Sequence, residues 1–307
     1  MRRYRARCAK RRACAVRSAV RLIISLLMAL GPAILLLGWP NLFALWWVVP
    51  AWGIQAVGLT GLSSGVHEAV HGHLFYHSFI DRQTGRLLHG ILLLNHDVHR
   101  QYHLAHHLNL GNEDDSEGVF DFDNLGTGMG YLRRFGRWAI PPSPLHIMNW
   151  SAGASVIQGV QYGYLTKVTR RQALAGFAVP AAEVAALMAW VAVNPVQALV
   201  GALVPLLIFS PIFGYFTALP EHFGLAANHF EHRTRNILTS RPLQYLLWNF
   251  NLHAVHHRNP HLHFSLLPVG LEKIPTPAAN GYVRFHADVL SQLIGRKTVV
   301  AEALGLR

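Results

Sequence analysis

Four stretches of the chain are apolar for the length of a bilayer: Leu22–Trp39, Leu42–Leu62, Ala173–Val193 and Val196–Leu219. A helix needs about 20 apolar residues to cross a hydrocarbon core, so each stretch predicts a membrane-spanning helix. Only Pro40-Asn41 and Asn194-Pro195 separate the members of each pair, which predicts two tight hairpins, over 22–62 and 173–219. Those turns carry no charge, whereas the other connections hold Arg133, Arg134, Arg137, Lys167, Arg170 and Arg171. Lys and Arg accumulate in cytoplasmic loops, so both termini and both long connections are expected in the cytosol. Trp39 and Trp190 then fall at the outer interface, where indoles are favoured. Leu87–Leu94 is too short to span and predicts a half-buried or interfacial helix, and Ile147–Leu165 reads similarly. The expected fold is an all-α integral membrane protein, with four transmembrane helices in two hairpins and a helical cap on the cytosolic face.

Composition agrees with that pattern: 51% of the 307 residues are hydrophobic and 14% charged, too apolar for an ordinary soluble domain. A net charge of +12 would suit a nucleic-acid partner, but eight Lys/Arg and no acid fall within residues 1–17, leaving 19 basic against 15 acidic residues elsewhere. A basic tail before an apolar span is a cytosolic-retention signal that also suits anionic headgroups, so no nucleic-acid partner is expected. Leu22–Trp39 is longer than the apolar core of a signal peptide and is followed by a second span, so it reads as a retained helix. Cys8 and Cys14 are the two cysteines, which rules out a disulfide framework and a four-cysteine zinc site. Gly126, Gly128 and Gly130 lack the strand, helix and lysine of a phosphate loop and read as a turn.

The candidate chemistry lies in the twenty histidines. Ten fall between His67 and His107 and eight between His222 and His263, with His146 and His286 outside. Each group follows a predicted hairpin, so topology alone returns both to one membrane face. His67 and His71 are spaced i, i+4; His103, His106 and His107, and again His253, His256 and His257, are spaced i, i+3, i+4. Each set shares one helix face. Neutral imidazole is a ligand for iron, zinc or copper. Eight such groups exceed what one ion takes, so two metals are expected, with His222, preceded by Glu221, as a ninth ligand.

His67-Glu68-Ala69-Val70-His71, His103-Leu104-Ala105-His106-His107 and His253-Ala254-Val255-His256-His257 resemble, in order and spacing, the three histidine boxes of the membrane fatty acid desaturase superfamily. The run Asn112-Glu113-Asp114-Asp115-Ser116-Glu117 and the stretch from Arg233-Thr234-Arg235-Asn236 to Trp248-Asn249 are similar to its bacterial members, so the resemblance covers roughly residues 60–270. Val255 stands where close members often carry Glu. The resemblance implies a non-haem di-iron centre held by His67, His71, His103, His106, His107, His222, His253, His256 and His257, with no catalytic residue beyond these ligands. It also implies O2 as co-substrate, a bacterial inner-membrane location, and desaturation of a fatty acyl or lipid-like chain. No nucleotide, iron–sulfur or haem motif accompanies the boxes, so electrons are expected from an external donor such as ferredoxin or cytochrome b5 with a reductase.

Three other readings fit parts of the sequence. A di-iron hydroxylase of a lipid or small secondary metabolite uses the same centre. A membrane zinc protease would use His67, Glu68 and His71 as an HExxH motif but leaves the other boxes unexplained. A metal transporter would carry ligands within its spans, whereas these contain no histidine and a single acid, Glu183, a candidate for the wall of a substrate tunnel. Asp97, Glu221, Asp114, Asn249 and Asn251 are candidates to orient imidazoles. His99 is a candidate substitute ligand, while His73, His77, His96, His229, His232, His261 and His263 read as interfacial. The chain reads as one domain over 1–307. It comprises a basic tail (1–17), the first hairpin (22–62), boxes one and two (63–125), the second hairpin (173–219), the third-box region (220–270) and a C-terminal cytosolic tail (271–307).

Overall fold

The computed structural model describes residues 2–38, 45–110, 115–117, 128–160, 163–165, 167–223, 225, 233–274 and 276–296. They are mostly helical: α1 (Arg2–Gly38), α2 (Leu45–His71), α3 (Ser78–Ile91), α4 (His96–Asn109), α5 (Gly128–Ala139), α6 (Pro144–Gln158), α7 (Arg170–Val193), α8 (Pro195–Ala198), α9 (Ser210–His222), α10 (Arg241–Leu246), α11 (His253–Arg258), α12 (Leu267–Leu271) and α13 (Tyr282–Arg296). Wide π-type turns at Leu199–Leu203 and Pro205–Phe209 join α8 to α9. Pro205 and Pro211 each lack the N–H that a regular helix would use there.

Among the described residues, three helical segments are long and apolar enough to cross a membrane: Lys10–Leu36, Arg170–Val193 and Pro195–His222. The stretch expected as a fourth, Leu42–Leu62, lies largely in α2 but is not one of them, and Trp39 with the Pro40-Asn41 turn lies outside the described residues. Polar side chains within α2 are satisfied by neighbouring elements. Trp52 Nε1 donates to the Val200 carbonyl at 2.7 Å, and Gln55 Nε2 donates to the carbonyls of Gly201 at 2.8 Å and Ala29 at 3.3 Å. At Gly58, a Cβ would meet the Ala29 backbone nitrogen at 2.4 Å, so only glycine lets α1 and α2 approach this closely. Asn194 closes α7 and caps α8, accepting from the Gln197 N–H at 3.1 Å.

Three features were not expected from the sequence. Two short strands, β1 (Asn236–Leu238) and β2 (Ala278–Asn280), pair in parallel and tie the segment after α9 to the one before α13. The stretch expected as a C-terminal tail contributes α13, whose Phe285, Val289 and Leu293 pack against Tyr131, Trp138, Tyr215 and Leu219. Gly128 and Gly130 open α5 instead of forming a turn.

Asn95 holds the second box in place. Its side chain accepts from the N–H groups of Asp97 and Val98 at 3.1 and 3.2 Å, capping α4, and donates to the Ala173 carbonyl of α7 at 2.8 Å. Its own N–H donates to Asn149 of α6 at 2.7 Å. Losing a cap costs about 0.5–2 kcal/mol and orphaning buried groups about 1–3 more. Asn95→Ala should therefore lower the thermal unfolding midpoint of the detergent-solubilised protein by several degrees; an unmoved midpoint would show that this hub contributes nothing.

Candidate metal centre

Helix periodicity places each imidazole. His67 and His71 sit one turn apart at the end of α2, His103, His106 and His107 share a face of α4, and His253, His256 and His257 share one of α11, while His222 closes α9. The six-residue α11 is aimed by the turn before it, where Trp248 and Asn249 adopt φ of 54° and 60°. That left-handed backbone is disfavoured for side-chain-bearing residues. Here the Trp248 indole is fully buried and donates to Ser25 Oγ at 3.2 Å, and Asn249 Nδ2 donates to the Phe264 carbonyl at 3.0 Å.

All nine sequence-predicted histidines are brought together. One group contains His67, His71, His103, His107 and His256; a second contains His106, His222 and His257; a third joins His222 and His253 to Glu221, and within each the candidate donor atoms lie within 4.8 Å of one another. The first two groups meet where His107 stacks on His257, with ring centroids 4.2 Å apart. His107 Nε2 lies 3.1 Å from both His103 Nε2 and His256 Nε2. His253 Nε2 lies 2.9 Å from both His222 Nε2 and His257 Nε2. One ring nitrogen cannot donate a proton to two others. Two adjacent ligands of a single ion, each at about 2.1 Å, are about 3.0 Å apart. Both nitrogens of His67, Nε2 of His71 and Nδ1 of His107, His256 and His257 are buried without a hydrogen-bond partner among the described residues. Buried polar atoms are normally paired, so Nε2 atoms converging at this spacing, beside orphaned nitrogens of His67 and His71, fit bound metal.

Burial and mutual proximity push the pKa of His67, His71, His107, His253, His256 and His257 down, favouring the neutral imidazole that a metal requires. At His106, burial is outweighed by the carboxylates of Glu117 and Asp115, and its pKa is raised. The Nδ1 atoms of His103 and His106 contact Glu117 Oε1 at 2.8 Å and Asp115 Oδ1 at 2.7 Å. Despite burial, His106 and His103 hold the Glu117 carboxylate well below the ordinary range. Glu221 Oε2 lies 3.5 Å from His253 Nδ1. Carboxylates in the positions of Glu117 and Asp115 fix ring orientation and make a ligand more basic.

The other candidates are placed differently. Asp115 and Glu117 were not singled out from the sequence, although the acidic run after the second box is the signal for them, and Asp114 lies outside the described residues. Asp97 pairs with Arg86 at 2.8 Å, and Asn251 donates to the Ile237 carbonyl at 2.8 Å, so neither orients a ring of the cluster. His99 hydrogen-bonds His89, stacks on Tyr102, and lies with His103 and Glu117 in a further group that shares His103 with the first. His261 is exposed and faces His73, while His263 engages Ser18 and Ser265. His77 caps α3, His96 contacts His89, and His229 and His232 lie outside the described residues. Glu183 is half-buried on α7 and is not a lining residue of the cavity beside the imidazoles.

That cavity, of about 240 Å³, runs from His67, His103, Glu117 and His253 along Thr60, Ser63 and Ser64 of α2 and Ser210, Gly214 and Thr217 of α9. Leu59, Leu145, Leu206 and Phe250 supply apolar wall. A mostly apolar cleft ending on a cluster of imidazoles is suited to an apolar ligand. Comparison with curated proteins gives no match. The family model described as fatty acid desaturase matches residues 54–286, a stretch that takes in all nine histidines and the cavity beside them. The chain therefore belongs to the fatty acid desaturase family.

Proposed function

We propose that this protein is a membrane-bound di-iron enzyme that uses O2 to desaturate a fatty acyl or other lipid-like chain, with electrons supplied by a separate protein. Family membership implies oxidoreductase activity of the desaturase and hydroxylase type. The observation that carries the finer reading is the convergence of nine box histidines in linked groups backed by carboxylates. In this reading His67, His71, His103, His107 and His256 hold one iron, and His106, His222, His253 and His257 hold the other. Bound iron supplies the O2-dependent oxidising power to remove hydrogen from an unactivated methylene, which no side chain possesses.

The chain's own residues bind and orient. Glu117 and Asp115 keep the Nε2 side of His103 and His106 turned toward the centre by accepting at Nδ1. Leu59, Leu206 and Phe250 shield the cavity from water and hold the apolar substrate against the imidazoles. The stretch Leu42–Leu62, most of which lies in α2, acts as the fourth span, completing two hairpins under a cytosolic cap, with both termini cytosolic in a bacterial inner membrane. Arg133, Arg134 and Arg137 on α5 give that face a basic surface suited to an acidic donor such as ferredoxin or cytochrome b5 with its reductase. Hydroxylation by the same centre is the second reading; gain of oxygen, in place of loss of two hydrogens, in lipids of an expressing host would select it.

The protease alternative is less well supported. Glu68, which would be its general base, is 1% exposed and turned toward His263, with Oε2 at 3.9 Å from Nε2, and it belongs to none of the donor groups formed by His67 and His71. Metal analysis decides between the two readings. Anaerobically purified protein should contain close to two irons per chain; stoichiometric zinc without iron would replace the oxygenase reading with the hydrolytic one.

A further inference from the structure

Whether the centre desaturates or hydroxylates, O2 takes two electrons from the substrate and two more, with two protons, from outside the site. Those outside electrons must reach buried imidazoles from a protein that stays at the surface. Tunnelling falls off steeply with the gap, so electrons enter where ring contacts bring the surface nearest to a ligand.

Apart from Phe250 on the cavity wall, ring contacts among the described residues leave the box histidines in two directions. One runs from His103 through His99 and His89 to His96, with centroids 5.7, 4.7 and 4.8 Å apart, and ends on a residue only 1% exposed. It stops inside the protein, where His96 fills the space above Gly85: a Cβ there would meet the ring at 2.4 Å. The other runs outward. His71 stacks on His73 with centroids 6.2 Å apart, and His73 contacts both exposed His261, at 6.1 Å, and half-buried Tyr76, at 5.6 Å.

The outward chain ends under positive charge. Arg11 lies 5.4 Å over the Tyr76 ring, Arg17 Nη1 donates to Ser265 Oγ at 3.2 Å, and Ser18 Oγ is 3.0 Å from His263 Nε2, so the basic end of α1 packs beside these rings. Lys10, Arg11, Arg12 and Arg17 are exposed, and residues 10–17 contain no acid. Helix α5 is basic too, but its rings lead elsewhere: Tyr131 and Phe135 contact His286, and Trp138 stacks on Tyr215. No ring contact joins α5 to a box histidine among the described residues.

Resting on the di-iron oxygenase reading, we propose that an acidic one-electron carrier docks on the basic end of α1, over Arg11 and Arg17, and that its electrons enter through His73 to His71. Each docking oxidises one carrier and passes one electron inward, so a turnover takes two. Opposite charge steers such a partner and fixes its orientation. Approaches from His261 and from Tyr76 both converge on His73, so loss of His261 leaves a way in, whereas loss of the His73 ring closes both.

The test uses the full chain in detergent, with iron content measured on every sample, and an acidic plant-type [2Fe–2S] ferredoxin as the probe. The native chain should bind it at low salt and release it as salt is added. Arg11→Glu combined with Arg17→Glu should weaken binding about tenfold or more, while Arg133→Glu on α5 should leave it within about twofold. His73→Leu should leave the affinity unchanged yet pass electrons several-fold more slowly, followed anaerobically as the colour of reduced ferredoxin returns on mixing with the oxidised chain. His73→Phe, which keeps a ring in place, should restore the native rate. With two irons present, absence of binding, an affinity unmoved by the α1 reversals, an equal loss at Arg133, or a native rate in His73→Leu would each overturn this entry route alone. Absence of iron from the native chain would overturn the oxygenase reading whatever the ferredoxin does.

Discussion

Alanine at His256 should strip iron from the protein and abolish oxygen-dependent product formation, whereas alanine at His261 should leave both intact. His256 is 1% exposed, its Nε2 lies 3.1 Å from that of His107, and its ring is 4.4 Å from that of His67. Deleting it opens the group shared by three helices. His261 lies four residues past His257 yet is exposed and contacts His73, away from every donor group. His106→Ala and His222→Ala should behave like His256→Ala, because with His257 they form the second group. The loss should exceed the roughly 10–100-fold that follows from mutating a residue behind a ligand. Iron by mass spectrometry and product formation in membranes are the two measurements, and equal tolerance of all four substitutions would refute the site.

The second large effect is expected at a residue that need touch no metal. Glu117→Gln should weaken metal retention by about 10–100-fold, measured by chelator competition, while the protein remains folded. The carboxylate is held ionised by His106 and His103 and accepts from His103 Nδ1 at 2.8 Å. The amide has the same shape and can still accept that proton, but it carries no charge to raise the basicity of the ring. Asp115→Asn should act in the same direction through His106. Metal retention unchanged in both variants would mean that these acids only tether residues 115–117 to α4.

Much of the site was legible because its spacing is local. The intervals within 67–71, 103–107 and 253–257 place imidazoles on one face of any helix that forms there, and α2, α4 and α11 do form there. The long apolar runs at 173–193 and 196–219 were equally plain, since length and hydropathy are properties of the segment itself. Leu42–Leu62 was harder to read. Trp52 and Gln55 each bring polar N–H groups into α2, and only the tertiary structure shows their partners, the carbonyls of Val200, Gly201 and Ala29. Asp115 and Glu117 are not legible in the sequence, because nothing in a run of acids says which of them folds back onto α4.

By itself, therefore, the sequence determined the long apolar helices at 173–193 and 196–219, the spacing of the imidazoles within each box and the family to which the chain belongs. All three are set by neighbours a few residues apart or by motifs that survive as short strings. The tertiary structure alone decided which boxes share a donor group, as where His107 meets His256 from 149 residues away. It also decided which acids stand behind them. Those contacts depend on where helix ends meet across the whole chain, and no local period encodes that.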